Sequence, residues 1–365
     1  MKVARANTLH IGFYGKRNVG KSTLFNLILG QDYSIISDVA GTTTDVNIKS
    51  MELPSVGPVT LMDCAGIDDI AELGQKRVEK TLKTLERADV AIYMYEGELD
   101  SFDNDFLLRL TEMKIPYITM NKADVTTADK IIAELVKIIP QKNEINLLPN
   151  GLKKGDVAVL VIPIDKEAPQ GRLILPQVQT LRAMLDEHLI TVVCREEELP
   201  QTLKMSPKIV ITDSQAFKKV AEIIPKNVAL TSFSIIFANF KGDLKVFREG
   251  SNALDGLKDG DKILICESCT HHAIEDDIGR VKIPRLVGQY TGKELIFEHY
   301  SGFDMPKNLT DYKLIIHCGA CMTNRTEVLR RIELAHEANV PITNYGIVIA
   351  KCLGILERAV MPFTS

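Results

Sequence analysis

The chain has 365 residues, 45% of them hydrophobic and 25% charged, with a formal net charge of -4. That length allows two or three domains with cores of their own, and the composition is ordinary for a soluble globular protein. The weak negative charge excludes the basic footprint of a nucleic-acid binder, and apolar runs such as Val157 to Ile164 are far shorter than the ~20 residues of a membrane span.

Met1-Lys2-Val3-Ala4-Arg5 leads straight into an apolar run, which predicts no signal peptide and a cytoplasmic protein. The first strand is expected at Leu9 to Tyr14 and the first helix at Thr23 to Leu29. Between them Gly15-Lys16-Arg17-Asn18-Val19-Gly20-Lys21-Ser22 fits the phosphate-loop pattern G-x-x-x-x-G-K-[ST]. Glycines at both ends let the backbone turn so that successive N–H groups face a polyphosphate, and the helix N-terminus adds partial positive charge. Lys21 supplies a point charge to the outer phosphates and Ser22 a hydroxyl for magnesium. Gly15, Asn18, Val19, Gly20, Lys21, Ser22 and Thr23 are the candidate nucleotide contacts.

Downstream, Gly41-Thr42-Thr43-Thr44-Asp45 lies where a first switch segment is expected. Thr43, with Thr42 next, is the candidate to close over magnesium and the terminal phosphate. The strand Val59 to Met62 ends in Asp63-Cys64-Ala65-Gly66, a D-x-x-G in which Asp63 reaches magnesium through water and the Gly66 N–H senses the terminal phosphate. A helix is expected at Glu72 to Arg87, then strands at Asp89 to Tyr95 and Ile115 to Met120. The last ends in Asn121-Lys122-Ala123-Asp124, an N-K-x-D whose carboxylate accepts from both the ring N–H and the exocyclic amine of guanine. Strand–helix alternation around these motifs predicts a doubly wound sheet binding GTP or GDP with Mg2+.

Two features bear on turnover. Ile67 stands where Ras-like proteins carry a glutamine that orients the attacking water, so hydrolysis is expected to be slow without help. Asn18 resembles the loop asparagine of potassium-activated TrmE/Era-like GTPases, which implies K+ as a source of catalytic charge; its alternative role is that of a turn residue. After Asp124 a single helix, Ala128 to Ile139, leads to Pro140, with no Ser-Ala guanine loop. The domain is expected to lack its last strand–helix unit.

Gln141 to Gly155 reads as a linker. A second small α/β unit comes next, with strands at Val157 to Ile162, Ile190 to Cys194, Ile209 to Thr212 and near Ala229 to Thr231. Helices are expected at Val178 to His188 and Gln215 to Ile224. Pro169-Gln170-Gly171-Arg172 is the candidate loop for a subunit contact. A third unit begins near Leu244, with strands at Lys262 to Ile265 and Lys313 to Ile316. The overall fold class is α/β: a P-loop GTPase domain followed by two smaller α/β domains with mainly parallel sheets.

The seven cysteines are odd in number and unevenly spread, which argues against a disulfide framework. Four form two C-x-x-C pairs just past strands of the third unit. These are Cys266-Glu267-Ser268-Cys269-Thr270-His271-His272 and His317-Cys318-Gly319-Ala320-Cys321. Parallel strands would bring both to one sheet edge, where α/β folds build ligand sites. Thiolate with imidazole suits zinc or an iron–sulfur cluster, and Cys318/Cys321 would also suit a redox dithiol.

Taken together, these residues resemble the [FeFe]-hydrogenase maturation GTPase family, known as HydF. The resemblance is carried by Cys269-Thr270-His271 with His317-Cys318-Gly319-Ala320-Cys321, by Asp277 to Arg285, by Thr343-Asn344-Tyr345-Gly346 and by the switch run Ala40 to Asp45. It implies a GTPase domain at 1–140, a linker at 141–155, a dimerisation domain at 156–243 and an iron–sulfur domain at 244–365. It also implies a [4Fe-4S] cluster held by Cys269, Cys318 and Cys321 with an exchangeable fourth position, for which His271, His317, Asp276, Glu275, Cys266 or solvent are candidates. Such proteins are homodimers or larger. They carry a transient di-iron precursor cluster received from two radical-SAM maturases and pass it to apo-[FeFe]-hydrogenase. The chain departs from the family at Cys64-Ala65, at Cys266, which reads first as a buried strand-end residue and otherwise as a fourth ligand that would lock the cluster, and in the missing guanine loop. A zinc-stabilised regulatory GTPase using Cys266 as fourth ligand is the alternative. A carrier whose GTPase domain is only a nucleotide sensor is another.

Overall fold

The structure is a computed structural model that describes residues 8–30, 46–53, 56–68, 72–125, 127–139, 146–164, 173–268, 277–302, 305–306 and 308–364. The chain divides into two compact units, Met1–Asn143 and Glu144–Ser365. Among the described residues no helix is long and apolar enough to cross a membrane.

In the first unit the strands are β1 (Leu9–Gly15), β2 (Asn47–Leu53), β3 (Gly57–Asp63), β4 (Val90–Tyr95) and β5 (Tyr117–Asn121), and the helices α1 (Lys21–Leu29), α2 (Glu72–Leu85), α3 (Ser101–Glu112) and α4 (Ala128–Ile138). The sheet order is β2-β3-β1-β4-β5, with only β2 antiparallel. Strand β4 reads as an unbroken apolar run, and β1 as one interrupted only by His10 and glycines, because both faces are covered. Leu24, Phe25 and Ile28 of α1 and Ile131 and Leu135 of α4 pack on one face. Leu85 of α2 and Phe106, Leu107 and Leu110 of α3 pack on the other.

Two elements, β2 and α3, go beyond the sequence expectation. Strand β2 is a half-exposed edge strand with little apolar periodicity. Helix α3 is announced by a capping box: the Asp100 carboxylate accepts from Phe102 and Asp103 N–H, and the Asp103 carboxylate accepts from Asp100 N–H. As the motif order implies, β5 is followed by α4, and the described sheet has five strands.

The second unit holds two four-stranded parallel sheets. The first is built by β6 (Val157–Val161), β7 (Ile190–Cys194), β8 (Ile209–Thr212) and β9 (Ala229–Ser232), with α5 (Leu175–Asp186), α6 (Leu199–Thr202), α7 (Phe217–Ile223) and α8 (Phe233–Lys241). Helix α9 (Leu244–Gly250) leads to the second, formed by β10 (Lys262–Glu267), β11 (Ile296–Ser301), β12 (Leu314–His317) and β13 (Ile342–Asn344). Its helices are α10 (Ile283–Thr291), α11 (Arg325–Glu337), α12 (Tyr345–Cys352) and α13 (Leu356–Val360).

The orders β7-β6-β8-β9 and β11-β10-β12-β13 are the same topology, and the local chemistry repeats with it. Leu152-Lys153-Lys154-Gly155-Asp156 precedes β6, and Leu257-Lys258-Asp259-Gly260-Asp261 precedes β10. In each, the aspartate carboxylate accepts the lysine N–H, Lys153 to Asp156 at 2.9 Å and Lys258 to Asp261 at 2.8 Å. Gly155 and Gly260 both have positive φ, 86° and 84°. Helices α8 and α12 both start from a side-chain cap, Ser232 and Asn344. The unit is an internal structural repeat.

Each sheet lies on its own side of residue 244, yet one hydrophobic core runs across that position. Val159, Val210 and Phe217 share it with Phe247, Leu264 and Ile315. Phe247 is fully buried there. In urea unfolding followed by hydrogen exchange of peptides from each unit, Phe247→Ala is expected to destabilise both sheets of the second unit together, by about 3–5 kcal/mol. Loss confined to β10–β13 would mean that each sheet keeps its own core.

Candidate functional site

The phosphate loop grows from the end of β1. Gly15 has φ 134°, and a Cβ on it would meet the Met94 carbonyl oxygen at 2.1 Å, so β4 leaves room only for glycine. Asn18 (φ 60°) and Gly20 (φ 94°) complete the turn into α1. The Lys21 ammonium folds back on the loop and donates to the carbonyls of Gly15 (3.1 Å) and Lys16 (2.5 Å). Burial pushes its pKa down, while the charge of nearby Asp63 acts the other way. Ser22 Oγ donates to Asp63 Oδ2 at 2.8 Å, so the two expected magnesium groups meet. Val19 is packed in the core below the loop, and Thr23 is exposed on α1.

The D-x-x-G segment presses on the loop. A Cβ on Gly66 would lie 2.8 Å from the Arg17 backbone nitrogen. Ile67 N–H donates to Gly15 O at 3.3 Å, and Arg17 N–H donates to Asp68 Oδ1 at 2.7 Å. This Arg17–Asp68 tie was not evident in the sequence, because Asp68 lies outside the motif. The N-K-x-D arrives from β5: Lys122 Nζ donates to Asn18 O (3.1 Å) and to the Glu96 carboxylate (3.1 Å), and Asn121 Nδ2 donates to Gly97 O (2.8 Å). Asp124 is exposed on the following 3-10 turn. Thr42 and Thr43 lie outside the described residues.

In the second unit, β10 and β12 pair in parallel with Cys266 opposite His317. The next residues of each strand continue the approach. Cys318 N–H donates to Cys266 O at 2.9 Å, and Ser268 N–H donates to Cys318 Sγ at 3.2 Å. The parallel register thus brings Ser268, just past β10, against Cys318, just past β12, at one edge of the sheet. Ala320 at φ 55° turns the C-x-x-C, and Cys321 is half-buried. Cys269, His271, Glu275 and Asp276 lie outside the described residues. Among the described residues no group of three or more His, Cys, Asp or Glu is placed to hold a metal ion.

Two of the fourth-position candidates are engaged elsewhere. Cys266 is 1% exposed inside β10, packed with Leu264 and Ile315, whereas Cys318 joins Ile263 and Ile265 in the cluster on the other face. Burial pushes the Cys266 thiol up to about 12. His317 Nε2 lies 2.9 Å from Arg331 Nη1, and its Nδ1 lies 2.8 Å from Cys318 O. A guanidinium only donates, so Nε2 accepts and Nδ1 carries the proton. Neither ring nitrogen is left for a metal, which corrects the sequence expectation for His317. Arg331 is itself held by Glu327 (2.9 Å) and Gly302 O (2.6 Å).

Sequence reasoning also missed Lys241, the last residue of α8. It is 1% exposed and donates to Ala320 O (2.9 Å), Thr323 O (2.7 Å) and, more weakly, Cys321 O (3.4 Å). Burial lowers it to about 8, opposed by Cys321, Cys318 and Glu327. A lysine closing the apolar run Phe233 to Phe240 was the available signal.

Residues 10–122 match the family model described as a 50S ribosome-binding GTPase, residues 147–242 the hydrogen maturase F dimerization domain, and residues 245–362 the hydrogen maturase F tetramerization domain. Curated relatives include GTPase Der of Campylobacter concisus, 37% identical over 30% of this chain and 24% of that protein. The tRNA modification GTPase MnmE of Flavobacterium johnsoniae is 29% identical over 34% of this chain and 28% of that protein. The chain thus spans about a quarter of the length of these relatives. Among solved structures, a variant of Aquifex aeolicus Era bound to GDP.AlF4- aligns with 83% of this chain and 94% of that one, at 18% identity and a TM-score of 0.29. The two maturase matches together cover more than half of the present chain, and it belongs to the hydrogen maturase F family.

Proposed function

We propose that this protein is a GTP-hydrolysing scaffold for hydrogenase maturation, carrying a [4Fe-4S] cluster on Cys269, Cys318 and Cys321. In this role it holds a di-iron precursor supplied by two radical-SAM maturases and delivers it to apo-[FeFe]-hydrogenase. The observation that carries the reading is one chain bearing a phosphate loop in its first unit and a thiol edge in its second. Family membership supports the maturation role, and the dimerization and tetramerization matches support a homo-oligomer. The cytoplasm is the compartment this role requires.

The residues at the thiol edge fit such a cluster. Two soft sulfur donors sit on a turn at a strand end, one already accepting a backbone N–H, as cluster sulfurs do. A buried cation lies behind them. When bound, the cluster would supply an iron with an exchangeable coordination position. Cys318 and Cys321, which follow β12, would hold it together with Cys269. The zinc reading needs Cys266 as a fourth ligand, and the packing of Cys266 on the other face of the sheet weighs against it. After anaerobic reconstitution, the parent and Cys266→Ala are expected to hold about four irons per chain, with a reduced-cluster paramagnetic signal. Cys318→Ala should lose both. Zinc without sulfide in the parent would overturn the cluster reading.

In the first unit, Gly15, Asn18, Val19, Gly20, Lys21, Ser22 and Thr23 would cradle the phosphates of GTP or GDP, Ser22 and Thr43 would ligate Mg2+ with Asp63 reaching it through water, and Asn121, Lys122 and Asp124 would recognise the guanine. Asn18 is the residue for K+, which would supply catalytic charge where Ile67 leaves no glutamine to orient water. Lys21→Ala is expected to weaken nucleotide binding about 10- to 100-fold in calorimetry, the loss of one or two charge-assisted contacts. Phosphate release measured with and without KCl should show potassium stimulation that Asn18→Ala removes. Equal rates in K+ and Na+ for the parent would reject the potassium assignment, and no release in either would favour a nucleotide sensor.

A further inference from the structure

Lys241 is a buried charge that its hydrogen bonds do not neutralise. Helix α8 belongs to the first sheet of the second unit, and its residues Phe233 to Ala238 face the interior except Ser234. The chain then places an ammonium at a 1% exposed position, over the Phe237 ring at 5.3 Å. The caps Ser232 and Asn344 register α8 on its counterpart α12, and the position matching Lys241 is then Leu353. The fold therefore accommodates an apolar residue here, and the lysine is particular to the copy that faces the cysteine turn.

Its three protons go to the carbonyls of Ala320, Cys321 and Thr323, which converge because Ala320 turns the chain through φ 55°. Among the described residues no carboxylate forms an ion pair with it. Carbonyl dipoles satisfy the hydrogen bonds of a buried ammonium, while its charge is met only at longer range, by Glu327 and the two thiols, rather than by a direct ion pair. A reciprocal contact fixes the arrangement: Arg325, at the start of α11 beyond the cysteine turn, donates to Phe240 O at 2.8 Å and Gly242 O at 2.9 Å. Helix α8 and the Cys318–Cys321 turn are clamped to each other at two points.

We infer that Lys241 is the positioning residue of the cluster-binding turn, holding Cys321 in place through the carbonyls on either side of it and supplying the fixed positive charge that favours the reduced cluster. This rests on the cluster reading above. The charge acts because reduction adds one electron to a thiolate-ligated, anionic group, and a nearby buried cation is poorly screened. The second sheet's metal site is thereby anchored on the first sheet, whose model match is the dimerization domain.

The test uses the full-length chain, reconstituted anaerobically with iron and sulfide, as parent, Lys241→Arg, Lys241→Gln and Lys241→Met. Folding is checked by circular dichroism, iron and sulfide are counted, and the midpoint potential is read by paramagnetic resonance during dithionite titration. Lys241→Arg should match the parent. Lys241→Gln keeps a donor without the charge: its iron content should stay near the parent's, with the reduced-to-oxidised ratio at a given potential down about tenfold, a shift of about 59 mV for a one-electron couple. Lys241→Met should show the same shift and a lower iron content. If Lys241→Met does not fold, Lys241→Gln alone carries the comparison. A folded, fully loaded Lys241→Gln at the parent's potential overturns the charge role, and unchanged iron content in Lys241→Met overturns the anchoring role. A parent without iron and sulfide instead removes the cluster reading, and this inference with it.

Discussion

Parallel pairing of β10 with β12 is the constraint on which the second unit's chemistry depends. Parallel strands point their C-terminal ends the same way, so segments about fifty positions apart in sequence finish side by side. Ladder bonds continue one residue past the strands, through Cys318 N–H and Ser268 N–H, and the second of these already ends on sulfur. An antiparallel neighbour would have sent the two cysteine segments to opposite edges. The first unit follows the same rule, since Gly15, Asp63 and Asn121 all stand at the ends of parallel strands β1, β3 and β5.

Repetition of one topology gives the second unit two strand edges of different chemistry. The two sheets share order, leading turn and a side-chain-capped helix after the fourth strand, and differ in the residues just past the third strand. After β8 come Asp213 and Ser214, and after β12 come Cys318 and Gly319. The Asp213 carboxylate accepts from Gln177, and Ser214 donates to Ser232, so the first copy closes its strand edge with internal hydrogen bonds. The second copy surrounds its thiols with interior polar groups instead: the bonded group His317, Arg331 and Glu327, and Lys241. Each member of the first group is hydrogen-bonded to another, as burial requires. The network fixes the histidine tautomer and holds its ring away from ligation.

In the first unit a small set of contacts joins the three motifs. Lys122 bonds the loop carbonyl of Asn18, Ile67 bonds that of Gly15, and Ser22 bonds Asp63. A shift in any one motif is therefore felt by the other two. Gly66 is needed because Arg17 backbone lies where a side chain would be.

Much of this was legible in the sequence. The phosphate loop, D-x-x-G and N-K-x-D are local patterns whose backbone demands only certain residues meet, and buried parallel strands such as Val157–Val161 and Ile209–Thr212 declare themselves as short apolar runs. Edge strand β2 was not legible, because half-exposure blurs alternation. The repeat escaped because its signal is topology plus the short leading turn before β6 and β10, not identity along its length. By itself, the sequence determined the three motifs, the α/β alternation and the thiol pairs, since each is written in residues close together. Only the tertiary structure decided that Cys266 faces the core, that Arg331 occupies His317 and that Lys241 reaches the cysteine turn. Those outcomes depend on strand register and on helices meeting from distant parts of the chain, which local physics leaves open.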